Sequence, residues 1–427
     1  MSRVLAVADS DSYLKWAAGL LDQLPEGWSS TLAVVRTPIV PSPAQIAAAV
    51  SGTRAAGGEP PAVVSARAVR RLAERLRPDA VLVACTGPVV DVLVSDVLDD
   101  LSPRPVFVSG LPGISIPATE KAWMFRGGCD LFVVHSGREV EEFTRIGTEL
   151  GASGVTALAR LPYLDGLLKT ATPAHPVPLD AAPSLAASLA LDPVTPAGRR
   201  VVFATQAKVP KRREDRESVL LALDGLAAAR PDLDVVVKLR ALTTERQTHN
   251  ERYHYESLWA SLEAAGAVRP GAVRFAVGPM HEHLAEAAGF VTVSSTAALE
   301  AIAGEVPLLV LSDFGVSAEM INLVFEDSGC LGSLEDLARG EFRRPTAAWC
   351  DANYFHDRAA SDWITRLDAL VERARTTGLP PVRPLLDGPA HAAARRRARL
   401  RVELPPNVLR AGYRASRRMR RYLKALR

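Results

Sequence analysis

The chain has 427 residues, of which 48% are hydrophobic, so it is long enough to form two or three domains with sizeable cores. Its net charge of +3 is unevenly distributed, because the segment 395–427 alone carries +12 and leaves −9 for the other residues. A general nucleic-acid-binding protein spreads its basic surface over the fold, so this distribution argues against that class.

Four cysteines stand far apart, with no Cys-x-x-Cys pair and no histidines at zinc-ligand spacing, which indicates reduced structural thiols. No stretch approaches the roughly 18 apolar residues that a membrane span needs. Residues 1–10 lack the charged and apolar parts of a signal peptide. We therefore expect a cytoplasmic protein.

Short apolar strands alternate with helices from the first residues onward. This alternation predicts a parallel sheet covered by helices on both faces. The predicted strands are Arg3–Ala8, Thr31–Val35, Ala80–Ala84, Pro105–Ser109 and Leu131–Val134, and the predicted helices are Ser12–Leu24, Val64–Leu76, Val89–Leu98 and Glu139–Glu149.

A proline-rich segment interrupts the alternation between Thr172 and Pro196, and its composition is typical of an extended connector. The alternation then restarts and again predicts a parallel sheet. The predicted strands are Arg200–Thr205, Leu233–Leu239, Val273–Ala276 and Phe290–Val293, and the predicted helices are Asp215–Ala229, Glu251–Ala264 and Ala297–Ala303.

The predicted fold class is therefore α/β, with two doubly wound, Rossmann-like domains that face each other across a cleft. We expect an N-terminal domain over residues 1–170, a linker over 171–198 and a second domain over 199–385. A basic amphipathic C-terminal helix is expected over 386–427.

The stretch 290–311, FVTVSSTAALEAIAGEVPLLVL, combines a strand, a hydroxyl-rich turn and a helix. Ser294, Ser295 and Thr296 offer N-cap hydroxyls to a run of strong helix formers. A helix start at the carboxyl end of a parallel strand presents free N–H groups that favour a phosphate. Glu300, about one turn further on, is placed to accept hydrogen bonds from a ribose. An ordinary βαβ unit with a well-capped helix is the alternative interpretation.

Polar and cationic side chains follow two other strands of the second half. Gln206 and Lys208 come after the first of these strands, and Lys238 and Arg240 lie at the end of the next. Because the carboxyl ends of parallel strands meet at one edge, we expect these side chains to bind a phosphate group together. Ordinary solvated charges at strand ends are the alternative.

The donor-nucleotide motif of the GT-B glycosyltransferases has a hydroxyl-rich turn, then a glutamate, a helix end of small residues and Gly-x-Pro. This chain resembles that motif, with one extra residue between the glycine and the proline. The matching residues are Ser294, Ser295, Thr296, Glu300, Gly304 and Pro307. The closest resemblance is to bacterial transferases of capsular polysaccharide, of the Kdo and sialic-acid types, and of teichoic acid.

The resemblance implies a metal-independent glycosyltransferase without a cofactor, acting in cell-surface assembly. A nucleotide sugar would be the donor, and a polysaccharide or glycolipid would be the acceptor. The capsule enzymes favour a CMP-linked ulosonic acid, but they often carry Lys-x-His-Pro where this chain reads Lys238-Leu239-Arg240-Ala241. A nucleotide-sugar epimerase of the same fold and a non-catalytic binding subunit are the alternatives.

Three residues after strands of the first half are candidates for the acceptor side. Asp9 and Asp11 follow the first strand, and either carboxylate is a candidate general base; helix capping by Ser10 or Asp11 explains the pattern equally well. His135 directly follows a strand and is a candidate base because histidine exchanges protons near neutral pH. A structural or capping histidine is the alternative.

No metal site is expected. His281-Glu282-His283 is poorly spaced for a metal on a helix and lacks a third ligand nearby. Asp9-Ser10-Asp11 resembles a metal-binding Asp-x-Asp of another glycosyltransferase class, but it follows a different strand. P-loop, GxGxxG, GxSxG and HExxH motifs are absent from the sequence, which argues against kinases, nicotinamide dehydrogenases, α/β-hydrolases and zincins.

The basic tail over 395–427 places apolar residues near helical spacing between its arginines. Such a helix can lie on an anionic membrane, which predicts peripheral association with the inner membrane face. Packing of its apolar stripe on the first domain is the alternative, and both can hold together.

Overall fold

The computed structural model describes most of the chain, namely residues 1–164, 198–239, 251–404 and 408–409. Three predictions concern residues outside that part. They are the linker at 171–198, of which only residue 198 is described, the predicted phosphate ligand Arg240, and the basic tail beyond residue 409.

Two units, each with its own parallel sheet, make up the described residues. Unit 1 consists of Met1–Pro112, Ala118–Tyr163 and the residues from Ala359 onward, and unit 2 consists of Gly113–Pro117 and Leu164–Arg358. The predicted α/β class with two Rossmann-like sheets is confirmed.

Unit 1 contains a seven-stranded sheet of order β3-β2-β1-β4-β5-β6-β7. All neighbouring strands are parallel. The strand order reverses between β1 and β4, which makes this pair the topological switch point. The strands are β1 (Ser2–Ala8), β2 (Trp28–Val35), β3 (Ala62–Val64), β4 (Ala80–Ala84), β5 (Val106–Gly110), β6 (Leu131–Val134) and β7 (Val155–Leu158).

Helices cover both faces of this sheet. The side chains of β1 are apolar on both faces and alternate between the two cores. Val4 and Ala6 pack into the core on one face, while Leu5 and Val7 pack into the core on the other. The helices of this part of unit 1 are Asp11–Gln23, Pro43–Val50, Ala66–Leu76, Gly87–Val92 with a π-helical continuation over Leu93–Val97, Glu120–Met124 and Gly137–Leu150.

The prediction of one helix over 64–76 was wrong at its start. Ala62–Val64 is instead the edge strand β3, because its valines favour an extended backbone and pair with β2. The helix begins after Ser65, whose side chain accepts a hydrogen bond from the N–H of Ala68.

Unit 2 contains a six-stranded sheet of order β10-β9-β8-β11-β12-β13, again parallel throughout. Its switch point lies between β8 and β11. The strands are β8 (Arg200–Ala204), β9 (Asp234–Lys238), β10 (Arg274–Ala276), β11 (Ala287–Thr292), β12 (Leu308–Leu311) and β13 (Leu331–Gly332). The helices are Arg213–Ala229, Tyr255–Ala264, Met280–Leu284, Ala297–Ala303, Leu334–Arg339 and Ala347–Ala352.

The C-terminal boundary of the second domain differs from the prediction of 199–385. Residues from Ala359 onward belong to unit 1, including the helix Trp363–Thr376. Trp363, Leu367 and Val371 recur at helical spacing and are buried in the core of unit 1. The chain therefore returns to its first unit before it ends.

The start of the basic tail is a helix of unit 1, Pro389–Glu403. Arg395 donates hydrogen bonds to Asp91, at 3.0 Å, and to Asp96, at 2.8 Å, while Ala398 and Val402 are buried beneath the helix. This part of the tail thus has the structural role that the sequence left as an alternative. None of the helices in the described ranges is long and apolar enough to cross a membrane.

Candidate functional site

A cavity of about 360 Å³ opens at the carboxyl edge of the sheet in unit 2. It lies at the switch point and extends to the loops after β10 and β12. Its lining residues are Ala204, Thr205, Gln206, Ala207, Lys208, Lys238, Met280, Ser294, Ser295, Thr296 and Ile321. The structure therefore brings together six of the eight residues that the sequence predicts for the donor site.

Gln206 bridges the switch point with two hydrogen bonds. Its Oε1 accepts from the backbone N–H of Ser294 at 2.8 Å, and its Nε2 donates to Ser294 Oγ at 2.8 Å. Both groups of the amide are thereby committed to the turn after β11. Gln206 consequently fixes the two strand ends that form the floor of the cavity.

The hydroxyl-rich turn is held by its own side chains. Thr292 Oγ1 accepts from the N–H of Ser295 at 3.0 Å, and Ser295 Oγ accepts from the N–H of Ala297 at 3.2 Å. The position before the helix is occupied by Thr296, whose exposed side chain makes no capping hydrogen bond. Thr296 is thus the exposed residue of the turn.

The expectation of free N–H groups at this helix start was wrong for three residues. The N–H of Ala297 is bonded to Ser295 Oγ, that of Ala298 to the carbonyl of Ser295, and that of Leu299 to the carbonyl of Thr296. A tight turn satisfies its own donors and leaves fewer for a ligand. This helix start therefore offers fewer free backbone donors than the sequence predicted.

Two lysines supply positive charge to the cavity. Lys208 is exposed after β8, and Lys238 is half-buried at the end of β9. The carbonyl of Lys238 accepts from Thr205 N at 3.1 Å and from Thr205 Oγ1 at 3.2 Å, which fixes its backbone. Glu300 is half-buried in the helix and does not line the cavity, so its role toward a ribose stays a prediction.

Arg216, which the sequence pattern did not single out, is a fully buried arginine that holds the loop between β8 and the next helix. It donates to the carbonyls of Pro210 and Gln206 at 2.9 Å and of Ala207 at 3.1 Å. The loop that carries Gln206 and Lys208 is therefore anchored by one side chain. A signal was present, because Arg216 lies three residues before Val219 on the apolar side of its helix.

The charge of Arg216 is balanced by Glu251, which is also buried and forms an ion pair with it. Arg216 further donates to the carbonyl of Tyr253 at 2.6 Å and lies 4.8 Å from the ring centre of Tyr255. Every part of the guanidinium is therefore occupied by contacts within unit 2, which makes Arg216 a positioning residue.

Unit 1 carries a similar bridge at its own switch point, made by Asp9. Asp9 Oδ2 accepts from Thr86 N at 3.0 Å and from Thr86 Oγ1 at 2.5 Å, which links the ends of β1 and β4. Asp9 is fully buried, and burial raises the pKa of its carboxyl although the Thr86 hydrogen bonds oppose that change. These contacts favour a structural role over direct contact with an acceptor.

His135 is fully buried, and both of its ring nitrogens have partners in unit 1. Nε2 accepts from the indole N–H of Trp16 at 2.7 Å, and Nδ1 donates to the carbonyl of Ala159 at 2.9 Å. An indole only donates and a carbonyl only accepts, so the tautomer is defined. This geometry favours the structural alternative for His135.

Asp11 differs from Asp9 and His135 because it is exposed. It is the first residue of the helix Asp11–Gln23, where its charge is favourable to the helix dipole. Ser10 occupies the N-cap position, but its side chain makes no capping hydrogen bond. Of the three predicted acceptor-side residues, Asp11 is therefore the one that solvent reaches.

The His281-Glu282-His283 segment forms most of the short helix Met280–Leu284. His283 is buried and its Nε2 donates to the carbonyl of Val277 at 3.1 Å, whereas His281 is exposed. The residues that the structure describes contain no group of three or more His, Cys, Asp or Glu side chains placed to hold a metal ion.

A family model described as "Putative glycosyltransferase (DUF6716)" matches residues 4–370 of this chain. A search of curated proteins finds no match. Among solved structures, the chain is similar to a "putative UDP-N-acetylglucosamine 2-epimerase" from Listeria monocytogenes. That protein is 13% identical with a TM-score of 0.53, and the match covers 89% of this chain and 98% of the other.

A second UDP-N-acetylglucosamine 2-epimerase is also 13% identical, with a TM-score of 0.51 and coverage of 90% and 100%. A UGT transferase from Siraitia grosvenorii in complex with UDP is 12% identical, with a TM-score of 0.42 and coverage of 93% and 98%. The likeness to the two epimerase structures shows the shared GT-B fold.

Proposed function

The chain belongs to the family described as "Putative glycosyltransferase (DUF6716)", and from this premise we propose that it transfers a sugar from a nucleotide-sugar donor. The observation that carries the proposal is the cavity at the switch point of unit 2, where Gln206, Lys208, Lys238 and the Ser294–Thr296 turn meet. Ligands of doubly wound sheets bind at this position.

The chemistry of the cavity suits a phosphate leaving group. Negative charge develops on the phosphate as the glycosidic bond breaks, and Lys238 and Lys208 would stabilise that charge. The exposed hydroxyl of Thr296 adds a donor that the turn itself does not use. Arg240, outside the described residues, would add a third cation.

The two switch points differ in charge, which supports placing the donor in unit 2. Unit 1 is bridged by the carboxyl group of Asp9, whereas unit 2 is bridged by the neutral amide of Gln206. A carboxylate beside a phosphate is unfavourable, and a neutral amide is not. The donor nucleotide therefore fits the switch point of unit 2 better.

Unit 1 would take the acceptor, with Asp11 as the accessible candidate base. Asp9 and His135 would support it from beneath as structural residues. The resemblance to capsule and teichoic-acid transferases supports a cell-surface polysaccharide or glycolipid acceptor and a CMP-linked ulosonic acid donor. A nucleotide-sugar epimerase, the alternative activity, would release free sugar without an acceptor, and a non-catalytic binding subunit would bind the donor without turnover.

Replacing Lys238 by methionine tests the donor site. We expect nucleotide-sugar affinity to fall by about 10- to 100-fold, because a hydrogen bond to a charged group is worth roughly 1.5–3 kcal/mol. The donor is first found by thermal shift against UDP-, GDP-, TDP- and CMP-sugars, and affinities are then measured by calorimetry. Lys121→Met removes an exposed lysine from unit 1 and serves as the control. Equal affinities in the two variants would rule out this site.

Transfer is proposed to proceed without a divalent metal, because the lysines and hydroxyls that line the cavity would themselves stabilise the leaving phosphate. Activity should therefore survive treatment with a chelator followed by removal of the chelator-metal complex. Loss of turnover that added Mg²⁺ or Mn²⁺ restores would contradict the proposal.

Membrane contact is proposed for the tail beyond the helix Pro389–Glu403. Truncation after Leu404 should abolish sedimentation with vesicles that contain anionic lipid and leave the melting temperature unchanged. The wild-type attraction should weaken with salt, since the Debye length falls from about 10 Å at 0.1 M to about 3 Å at 1 M. Truncation after Gly388 also removes the packed helix, so it should lower the melting temperature. If the protein truncated after Leu404 still bound the vesicles as strongly as the full chain does, membrane contact through the tail would be refuted.

A further inference from the structure

Two helices of unit 1 that are far apart in the sequence cover the same face of its sheet. The helix Ala66–Leu76 buries Val69, and the helix Pro389–Glu403 buries Ala398, both in the core that contains Leu5. Each residue of an α-helix turns the side-chain direction by about 100°, so residues two positions apart point to nearly opposite sides. Side chains two positions from these buried residues therefore point away from the sheet.

The outward sides of both helices carry arginines. Arg67 and Arg71 lie two positions before and after Val69, and Arg396 lies two positions before Ala398. All three arginines are exposed, and in the part of the chain that the structure describes their side chains form no hydrogen bond or ion pair. Like charges one turn apart are unfavourable for a helix, so helix stability does not account for Arg67 and Arg71.

Other arginines of these two helices are paired with acids. Arg70 pairs with Glu74 in its own helix, at 2.9 Å, and with Asp100 beyond it. Arg395 pairs with Asp91 at 3.0 Å. The last residue of the second helix, a glutamate, is also paired within that helix. The charge that the two helices leave unpaired is therefore positive.

Leu400 adds an apolar side chain to this basic face. It lies two positions from both Ala398 and Val402, so it points outward, and it is 39% exposed. In the sequence, residues 410–427 after this helix add seven arginines and one lysine and contain no acid. Basic and apolar side chains on one surface suit an anionic membrane, whereas the phosphate backbone of a nucleic acid offers no apolar contact.

We propose that the face of unit 1 formed by the helices Ala66–Leu76 and Pro389–Glu403 docks on an anionic lipid surface. Its outward arginines would lie near the headgroups, and Leu400 would contact the apolar region beneath them. This inference rests on the proposed membrane contact of the tail and adds to it the side of unit 1 that faces the lipid. Binding through the tail and the face together is stronger than binding through either one. The tail carries more charge, so the face alone would be too weak to hold the protein on vesicles.

The full chain with Arg67→Gln and Arg71→Gln tests the proposal. Its binding to phosphatidylcholine vesicles that contain about one-third phosphatidylglycerol is measured by co-sedimentation over a range of lipid concentrations. We expect the affinity for these vesicles to fall about 10- to 30-fold, because two basic residues are lost from an anionic surface. The melting temperature should stay level or rise slightly, because the repulsion between the two arginines is removed. Vesicles of phosphatidylcholine alone should bind neither protein.

Arg366→Gln with Arg373→Gln is the matched control, because it removes the same charge from the helix Trp363–Thr376. Both arginines are exposed, and this helix is buried in the core on the opposite face of the sheet. At 0.1 M salt the Debye length is about 10 Å, so charges on that face should hardly affect the affinity. An equal loss in the control would show that the vesicles respond to net charge alone and would overturn the proposal. Unchanged affinity in the Arg67 and Arg71 variant would overturn it as well.

Leu400→Ser distinguishes a lipid surface from other polyanions. We expect its affinity for the same vesicles to fall about two- to fivefold, because a half-exposed leucine loses its apolar contact. Leu221→Ser is the control, since Leu221 is 44% exposed but lies in unit 2. Equal affinities of these two variants would contradict the contact of Leu400 with lipid.

The wild-type protein separates the remaining outcomes. Tighter binding to a short duplex DNA than to the vesicles would assign the face to a nucleic acid and overturn the lipid proposal. If the full chain does not sediment with anionic vesicles at all, membrane contact through both the tail and the face is refuted. Sedimentation of the full chain that the Arg67 and Arg71 variant retains in full would refute the face alone. Donor binding is measured without lipid, so the proposed glycosyl transfer succeeds or fails independently.

Discussion

Arg216→Ala is expected to destabilise unit 2 by about 3–5 kcal/mol, the range found when one partner of a buried ion pair is removed. Glu251 would remain buried without its cation, and three carbonyls of the loop after β8 would lose their donor. Scanning calorimetry should show a lower transition temperature for the unit that contains this helix.

Arg213→Ala is the matched control in the same helix. Arg213 forms an ion pair with Glu217 one turn away, but its side chain is about half exposed. Exposed pairs of this kind contribute little, so stability should hardly change. Similar melting curves for Arg213→Ala and Arg216→Ala would contradict the structural role of Arg216.

A double variant separates stability from positioning. Arg216→Met with Glu251→Leu removes both buried charges, and such replacements often restore or increase stability. The carbonyls of Gln206 and Ala207 would still lack their donor, so the loop under the cavity would be less well fixed. We therefore expect recovered melting temperature together with weakened nucleotide-sugar affinity.

Arg395→Ala is expected to destabilise unit 1 by about 3 kcal/mol at pH 8. This is the lower end of the range for removing one partner of a buried ion pair, because Arg395 is partly exposed. The change leaves Asp91 buried without its cation, beside Asp96. Urea unfolding of the full chain, followed by circular dichroism, measures the loss.

The loss should be smaller at pH 5 than at pH 8. Burial already raises the pKa of Asp91, and Arg395 is the chief group that opposes this rise. A carboxyl whose folded pKa exceeds its unfolded pKa binds its proton more tightly in the folded state, so its contribution to stability falls as pH increases. Without Arg395 the folded pKa rises further, and protonation at pH 5 relieves the buried charge.

Arg399→Ala supplies the control for this prediction. Arg399 pairs with Glu403 within the same helix, and both side chains are about half exposed. Its replacement should change the stability of the protein little, both at pH 5 and at pH 8. A loss for Arg395→Ala that is equal at pH 5 and pH 8 would show that Asp91 does not carry the effect.

The positions of site residues that follow from the local sequence pattern were predictable. The alternation of apolar strands with helices indicated two parallel sheets, and side chains just beyond strand ends had to meet at one edge of each sheet. For this reason Gln206, Lys238 and Ser294 were predicted together and line one cavity. Only neighbouring residues and the period of the strand were needed.

Contacts between residues distant in the sequence were not predictable. Asp9 and His135 were expected at the acceptor, but Thr86 binds Oδ2 of Asp9, and Trp16 and Ala159 bind the two ring nitrogens of His135. Likewise, residues 363–376 fell within the predicted second domain, 199–385, yet the apolar stripe of the helix Trp363–Thr376 is buried in unit 1. A local pattern shows that a face must be buried but does not say against which partner.

The sequence by itself therefore determined the fold class, the cavity edge and most of the side chains that line it, because period and strand-end position are local properties. Only the tertiary structure decided that Arg216 anchors the β8 loop, that the turn at Ser295 satisfies its own donors, and that Ile321 is held in a strained conformation. The role of Arg216 depends on groups that are distant in the sequence and that the packing of the unit brings together. The other two depend on the backbone path of a turn, which neither period nor strand-end position specifies.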